Sequence, residues 1–183
     1  SNFPSTIYSV FDLDSLAFLE ECVKPNYYKI ASPDCVYYEL LDAVSKTKRD
    51  TIVSVGGATF DEIRKCAKLF EWQKLTLMHC IVDYPCKDLQ LGYFRDRVNG
   101  SRLIPWGVSS HSMSRILPAV SVALGATMIE CHFKLNSSLN TADSGHSFTP
   151  NEFSEILEHI KIVEDNMGNS ERPLACELES LTL

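Results

Sequence analysis

The sequence predicts an α/β fold built on a parallel β-sheet, and three features of the chain lead to this prediction. Strand-like and helix-like segments alternate about six times along the sequence. No hairpin signal such as Asn-Gly joins two strand-like segments directly. Polar residues also gather at the carboxyl ends of the strand-like segments. Together these features are typical of consecutive βα units whose strands run parallel.

The predicted strands are short β-rich or apolar segments that end in polar or turn residues. In chain order they are Ser5–Asp12, Tyr27–Ser32, Asp50–Gly57, Lys74–Val82, Arg102–Ser110 and Ala126–Phe133. Predicted helices separate and follow them. These are Leu13–Val23, Tyr37–Lys46, Thr59–Phe70, residues 89–98, Met113–Leu124 and a last helix from Pro150 that ends at Gly168. A polar loop is predicted before the last helix.

Local signals support several of these helices. In the first helix the apolar residues recur at a nearly helical period. Thr59 and Glu62 have the spacing of a capping box at the start of the third helix. Thr149 and Glu152 repeat that spacing before the last helix, with Pro150 at the first helical position, where proline is favoured.

Two architectures fit this order of elements: a doubly wound open sheet and a TIM-type (β/α)₈ barrel. No G-x-G-x-x-G motif follows the first strand, which weakens the nucleotide-binding alternative. Polar residues at the carboxyl ends of the strands favour the barrel, which keeps its chemistry at that face. We therefore expect about six of the eight βα units of a barrel over residues 1–168, followed by a C-terminal tail at 169–183.

Composition narrows the classes of partner and location. The chain has 183 residues, a net charge of -7 and basic residues that are spread out, so nucleic acid is not the expected partner. No apolar run approaches the roughly 20 residues that span a bilayer, and no signal peptide is evident. The seven cysteines are odd in number and form no C-x-x-C pair. Reduced thiols and a cytoplasmic location are therefore expected.

Two histidines near strand ends are candidate metal ligands. Alternate side chains share a face in a strand, so Glu130 and His132 point the same way in "MIECHF". His111 precedes His132 by one strand–helix unit, which places both imidazoles at the same end of a barrel. Two imidazoles and a carboxylate suit Mn, Fe, Zn or Co. A hydrogen-bonded Glu–His pair is the alternative.

A second candidate site involves a lysine and hydroxyl groups. Lys29 and Ser32 end the second strand, and Ser54 ends the third beside Gly56 and Gly57. A lysine near hydroxyls and free backbone N–H groups can hold a phosphate or a carboxylate. The alternative is a lysine at the solvent-exposed rim next to a tight glycine turn.

The next strand end carries "LMHCIVDYP". His79 and Cys80 there are candidates for catalysis, but a structural histidine at a strand end fits the pattern equally well. The ring of Tyr84, in the following loop, is a candidate to face the pocket.

These motifs together closely resemble the N-acetylneuraminate (sialic acid) synthase family, which includes synthases of legionaminic and pseudaminic acids and of spore-coat polysaccharide sugars. The matching segments run in order from about Ser9 to about Gly168. They are "YKIAS", "VSVGGAT..EI", "LMHCIVDYP", "GVSSHS", "ALGATMIECHF" and "D..H.F...P.EF".

The resemblance implies an enzyme that condenses phosphoenolpyruvate with an N-acetylated hexosamine such as N-acetylmannosamine. The products are a nonulosonic (sialic-type) acid and phosphate. It further implies a divalent metal, Mn²⁺ or Mg²⁺, held by His111 and His132, and a homodimer. The metal would polarise the sugar aldehyde as a Lewis acid.

The same resemblance assigns roles to further residues. Those at phosphoenolpyruvate-binding positions are Lys29, Ser32, Ser54 and Ser109. Those at positions that bind or orient the amino sugar are Tyr84, Glu130 and Asp143, and Glu130 also counts as catalytic. Asp34 lies where the family often has a glutamate, and it is a candidate base for the attacking water.

The sequence also departs from the family pattern. Val10, Val55 and Val82 stand where polar residues are usual. The segments match the third to eighth strands, so we expect this sequence to contain neither the first two βα units nor the C-terminal antifreeze-like domain. These departures leave an alternative open: a non-catalytic family member that binds a sugar phosphate or a partner subunit. Another metal-dependent barrel aldolase is a third hypothesis.

Overall fold

The computed structural model describes residues 6–98 and 104–168, and its centre is a parallel sheet of seven strands in sequence order. The strands are β1 (Ile7–Ser9), β2 (Tyr27–Ile30), β3 (Asp50–Ser54), β4 (Leu75–Cys80), β5 (Trp106–Ser110), β6 (Met128–Phe133) and β7 (Ser147–Phe148). Every neighbouring pair runs parallel. The sheet curls into a half-barrel, which confirms the predicted α/β partial barrel.

Six α-helices connect or follow the strands in the described residues. They are α1 (Leu13–Cys22), α2 (Tyr38–Lys46), α3 (Phe60–Ala67), α4 (Leu91–Val98), α5 (Leu117–Ala123) and α6 (Pro150–Asn166). Single 3₁₀ turns occupy Ser32–Val36, Trp72–Lys74 and Ser144–His146. No helix in residues 6–98 and 104–168 is long and apolar enough to cross a membrane.

Apolar side chains on the outer face of the sheet form the core with the helices. Tyr28 and Ile30 of β2 are fully buried there, as are Leu40 and Leu41 of α2. Burying such side chains contributes roughly 1.5–3 kcal/mol each relative to exposure. Since β2 is apolar on this face, its intervening residue, Lys29, points to the inner face of the half-barrel.

Both predicted capping boxes are present. The Thr59 hydroxyl accepts a hydrogen bond from the backbone N–H of Glu62, whose carboxylate accepts one from the Thr59 backbone N–H. Thr149 and Glu152 form the equivalent pair at the start of α6. Each box satisfies donors that the first helical turn leaves without a partner.

Several element boundaries differ from the sequence-based prediction. The predicted polar loop before α6 contains a 3₁₀ turn and the short strand β7, because Ser147 and Phe148 pair with His132 and Phe133. The predicted helix from Met113 begins only at Leu117. Ser5, Arg102 and the tail at 169–183 lie outside the described residues.

The strand register places inward-facing residues of β4, β5 and β6 side by side. Ser109 pairs with Cys80 of β4 on one side and with Glu130 of β6 on the other. Gly107, one inward position earlier on β5, has no side chain because β6 approaches too closely. A Cβ there would lie within 3.0 Å of the Met128 carbonyl oxygen and of the Met128 Cβ. Small residues on β5 therefore let the strands that carry the polar side chains lie close together.

Candidate active site

The amino group of Lys29 lies at the centre of a polar group on the inner face. Its Nζ donates a hydrogen bond of 2.8 Å to the Ser54 hydroxyl and lies 3.6 Å from a Glu130 carboxylate oxygen. Only 12% of the Lys29 side chain is exposed, compared with 44% for Glu130. A lysine held in this way at the mouth of the half-barrel is not a solvent-exposed rim lysine, and its binding of an anion stays a prediction.

Glu130 connects this lysine to the next strand. Its second carboxylate oxygen accepts a 2.6 Å hydrogen bond from the Ser109 hydroxyl. The carboxylate is thus oriented by a serine on one side and a lysine on the other, while its exposed part faces the mouth. The predicted Glu130–His132 hydrogen bond is not among the contacts of the described residues, because Glu130 pairs with Lys29 and Ser109 instead.

Ser32 and Cys80 complete the inner face between these groups. The Ser32 hydroxyl accepts a 3.1 Å hydrogen bond from the Gly56 backbone N–H. This N–H is therefore not one of the free backbone donors that the sequence predicts near Lys29. Cys80 is buried, and its sulfur lies 3.8 Å from Nδ1 of His111. Burial raises the pKa of the Cys80 thiol, and nearby hydroxyls of Ser32 and Ser109 oppose that rise only in part.

His79 and Cys80 point in opposite directions. The His79 ring stacks on Phe94 at a centroid distance of 4.4 Å, and its Nε2 bonds to the Leu89 carbonyl on the outer side of the sheet. Burial lowers the pKa of His79. His79 is therefore a structural histidine, as the alternative held, and Cys80 is the residue of this pair that faces the pocket.

Three of the five histidines in the sequence meet at the carboxyl end of the sheet. The ring centroids of His111 and His132 are 5.4 Å apart, and that of His146 lies 4.5 Å from His132 and 5.9 Å from His111. Asp143 joins the group: its carboxylate oxygens lie 3.6 Å from Nδ1 of His132 and 3.4 Å from Nε2 of His146. We call these four residues the histidine cluster.

The tautomer of His111 suits a metal ligand. Its Nδ1 lies 3.1 Å from the Ile81 carbonyl oxygen, which can only accept, so Nδ1 carries the hydrogen and Nε2 keeps a lone pair. Burial lowers the pKa of His111, and the neighbouring His132 and His146 lower it further. Burial also lowers the pKa of His146. Neutral imidazoles at pH 7 are the form that binds metals.

Two further predicted site residues take different positions. The Tyr84 ring covers the histidine cluster, with its centroid 4.1 Å from that of His111 and 5.0 Å from that of His146. Asp34 lies half-buried on the 3₁₀ turn after β2. Among residues 6–98 and 104–168, no hydrogen bond or ion pair joins its carboxylate to Lys29 or Glu130. The roles assigned to all these residues stay predictions.

The NeuB family profile matches residues 5–172, which is almost the entire chain. The chain belongs to the NeuB family. The predicted resemblance to sialic acid synthases is thereby confirmed. The same match runs through every strand that carries the polar groups of the inner face.

Individual relatives agree with this membership. The NeuB-family chain is 37% identical over 171 residues to an uncharacterized protein of Methanocaldococcus jannaschii, covering 91% of the chain and 50% of that relative. It is 31% identical over 174 residues to a pseudaminic acid synthase of Campylobacter jejuni, covering 91% of the chain and 49% of that enzyme. The chain thus spans about half the length of the curated relatives it matches.

A solved structure supports the fold. The NeuB-family chain superimposes on an N-acetylneuraminic acid (sialic acid) synthetase from Leptospira borgpetersenii, crystallised with citrate, with a TM-score of 0.86 and 28% identity. The match covers 95% of this chain and 62% of that one. The half-barrel is therefore a part of a known synthase fold.

One member of the histidine cluster was missed by sequence reasoning. His146 lies in the predicted polar loop, within the segment "D..H.F...P.EF", and no site role is predicted for it from the sequence. The pairing of the two-residue strand β7 with β6 brings this histidine to the cluster, and a strand that short has no periodic signal in the sequence.

Proposed function

We propose that the protein acts in the condensation of phosphoenolpyruvate with an N-acetylated hexosamine, giving a nonulosonic acid and phosphate. The observation that carries the proposal is the adjacency of two sites within a NeuB-family half-barrel. The first is a lysine amino group between Ser54 and Glu130, and the second is the histidine cluster. One suits an anion and the other a divalent metal, which are the two requirements of this reaction.

Lys29 is the residue we assign to phosphoenolpyruvate. Its side chain is only 12% exposed and its ammonium donates to Ser54, so the charge is held at a fixed point rather than on a freely moving chain. The hydroxyls of Ser32 and Ser54 accept hydrogen bonds from protein groups, so each can donate its own hydrogen to a phosphate or a carboxylate. The Ser109 hydroxyl, on the same face, can do so when it turns away from Glu130. Their fixed positions reduce the entropy lost when the substrate is ordered.

The histidine cluster fits a divalent metal. His111 and His132 are the predicted ligands, and the geometry of His111 leaves its Nε2 available. When bound, a divalent ion supplies a Lewis acid that polarises the aldehyde of the sugar. Tyr84 covers this end of the pocket and is placed to exclude water from it.

Glu130 and Asp34 are assigned the proton transfers. In the reaction C3 of phosphoenolpyruvate bonds to the aldehyde carbon, whose oxygen takes up a proton; water then adds at C2 and phosphate leaves. The Glu130 carboxylate faces the mouth and accepts hydrogen bonds. It therefore orients the amino sugar by accepting hydrogen bonds from the hydroxyl groups of the sugar. Asp34 remains the candidate base for the water, since it flanks the same face after β2.

The test is phosphate release from phosphoenolpyruvate with Mn²⁺ and N-acetylmannosamine, run beside other N-acetylated hexosamines. Lys29→Met should weaken phosphoenolpyruvate binding by at least about 10-fold, because a charge-assisted contact contributes about 1.5–3 kcal/mol. Lys46→Met is the matched control, since the Lys46 side chain is 73% exposed and its ammonium pairs with Asp42 on α2, away from the inner face. Equal binding by both variants would contradict the assignment of Lys29.

A non-catalytic family member is the second candidate. The observation that favours it is Val82, an exposed apolar side chain at a position where polar residues are usual in the family. Two of the three apolar departures do not bear on it: Val10 and Val55 are buried in the hydrophobic core, whereas Val82 is exposed. Calorimetric binding of phosphoenolpyruvate without phosphate release in the same assay would favour this candidate.

A further inference from the structure

His146 is a buried histidine with an unused nitrogen. Only 6% of the residue is exposed, yet its Nε2 forms no hydrogen bond with any described residue. The nearest carboxylate oxygen, on Asp143, lies 3.4 Å away without hydrogen-bond geometry. Buried polar atoms are usually satisfied, and one that is not requires an explanation. A lone pair directed into the histidine cluster provides one.

The donor atoms around His146 are spaced as ligands of a single ion. One ligand atom each from His132, Asp143 and His146 lies within 4.8 Å of the other two. With a metal–nitrogen distance of about 2.1 Å, the centroid of a ligating imidazole lies about 3.3 Å from the ion, so two such rings at 90–110° are separated by about 4.7–5.4 Å. The centroids of His132 and His111, 5.4 Å apart, lie at the upper limit of this range. Those of His132 and His146, at 4.5 Å, are slightly closer, and those of His111 and His146, at 5.9 Å, are slightly farther apart.

The backbone holds this arrangement in place. Ser147 of β7 pairs with His132 of β6, so the residue just before Ser147 lies beside the His132 ring. The Ser147 hydroxyl donates a 2.6 Å hydrogen bond to the Asp143 carbonyl, and the His146 backbone N–H donates to the same oxygen at 3.1 Å. The Lys134 ammonium fixes the turn further by donating to the Ser144 carbonyl at 2.7 Å. These three hydrogen bonds hold the loop in the conformation that places His146 in the cluster.

We propose that His146 is a third imidazole ligand of one divalent transition-metal ion, together with His132, His111 and the carboxylate of Asp143. This inference rests on the proposed function, which requires a metal ion at this position, and it adds a ligand to that ion. It also narrows the choice of metal. Three imidazole nitrogens favour Zn²⁺, Co²⁺, Fe²⁺ or Mn²⁺ over Mg²⁺, which prefers oxygen ligands and retains its water.

The test measures metal binding without any substrate. The affinity of the metal-free protein for Co²⁺ is measured by calorimetry, together with the visible absorption of the bound ion. His146→Gln and His146→Phe are compared with the unchanged protein. His159→Gln is the matched control, because His159 lies on α6, where its ring contacts the Arg115 carbonyl outside the cluster.

The inference predicts a graded result. Loss of a partner that merely supports a ligand lowers metal affinity by about 10–100-fold, so both His146 variants should lose more than about 100-fold in Co²⁺ affinity and change the visible spectrum. His159→Gln should bind within about threefold of the unchanged protein. Mg²⁺ should compete with Co²⁺ only at a large excess.

Several outcomes would overturn it. Unchanged Co²⁺ affinity in a folded His146 variant, or no Co²⁺ binding by the unchanged protein, excludes the third ligand. A measurement on the unchanged protein covers variants that fail to fold: pulsed electron paramagnetic resonance of bound Mn²⁺ must count three imidazoles, and a count of two refutes the inference. Three imidazoles without phosphate release would reject the proposed function alone, whereas phosphate release with two would reject this inference alone.

Discussion

Replacing Gly107 by alanine tests how closely β5 and β6 must approach to build the site. A Cβ at this position would lie within 3.0 Å of three atoms: the Met128 carbonyl oxygen, the Met128 Cβ and the Met78 sulfur. The sulfur is at the end of a flexible side chain and can move. The other two atoms belong to the rigid part of β6, so the strands themselves must separate.

The cost follows from the nature of these contacts. Overpacking a well-filled interior typically costs 1–3 kcal/mol, and a clash with backbone atoms belongs at the upper end of that range. We therefore expect Gly107→Ala to lower the free energy of unfolding by about 3 kcal/mol. Because β5 leads to His111 and β6 carries His132, the same separation should weaken metal binding as well.

Urea denaturation followed by circular dichroism measures the change. The control is Gly92→Ala in α4, where an added Cβ meets nothing within 4 Å and φ is not positive. That substitution should be neutral or stabilise by up to about 1 kcal/mol, because alanine is the better helix former. A Gly107→Ala protein as stable as the Gly92→Ala protein would refute the proposed close approach of the two strands.

Three other predictions concern charged and titrating groups. Glu130→Gln should stop phosphate release yet lower the free energy of unfolding by no more than about 1 kcal/mol, because its ion pair is partly exposed; urea denaturation and the phosphate assay measure the two effects. The hydrogen bond from Arg49 holds the pKa of Glu20 below its usual value. The Glu20 carboxylate therefore stabilises the folded state at pH values above its pKa in the unfolded chain, and this stabilisation is lost as the pH falls through its pKa in the folded protein. Glu20→Gln should therefore reduce the loss of stability in acid, as seen in denaturation midpoints against pH. Burial lowers the pKa of His79, so stability should fall as pH drops below about 6.5, the unfolded value; His79→Gln should flatten that slope in the same measurement.

The fold could be predicted because its signals are local. Each capping box is set by two residues three positions apart, and both were found at the predicted places. The polar ends of the strands are also visible in the sequence, since strand-like segments have Lys29, Ser54 and Ser109 at or near their carboxyl ends. Parallel strands bring their carboxyl ends to one edge, so these local signals were sufficient to assemble most of the site.

The direction of His79 and Cys80 could not be predicted, because β4 is apolar on both faces. A strand buried on both sides shows no alternation from which the inward residues can be read. Leu77 packs in the outer core and Met78 lies fully buried on the other face, so the two neighbours give no hint of direction. Only pairing with β5, in which Cys80 lies beside Ser109, determines which residue faces the pocket.

The position of His146 depends on the pairing of β6 with β7, and β7 is a much shorter strand than the others that build the site. β7 has two residues, too few for a periodic signal, and its place is set by the register of Ser147 with His132.

The consequence is functional as well as structural. Lys29 and the histidine cluster are placed by β2, β5, β6 and the turn before β7, which all lie within this chain. Anion binding and metal binding can therefore each be measured on it. Each can therefore succeed or fail independently of the complete condensation, and the proposed roles of Lys29 and His146 can be judged separately.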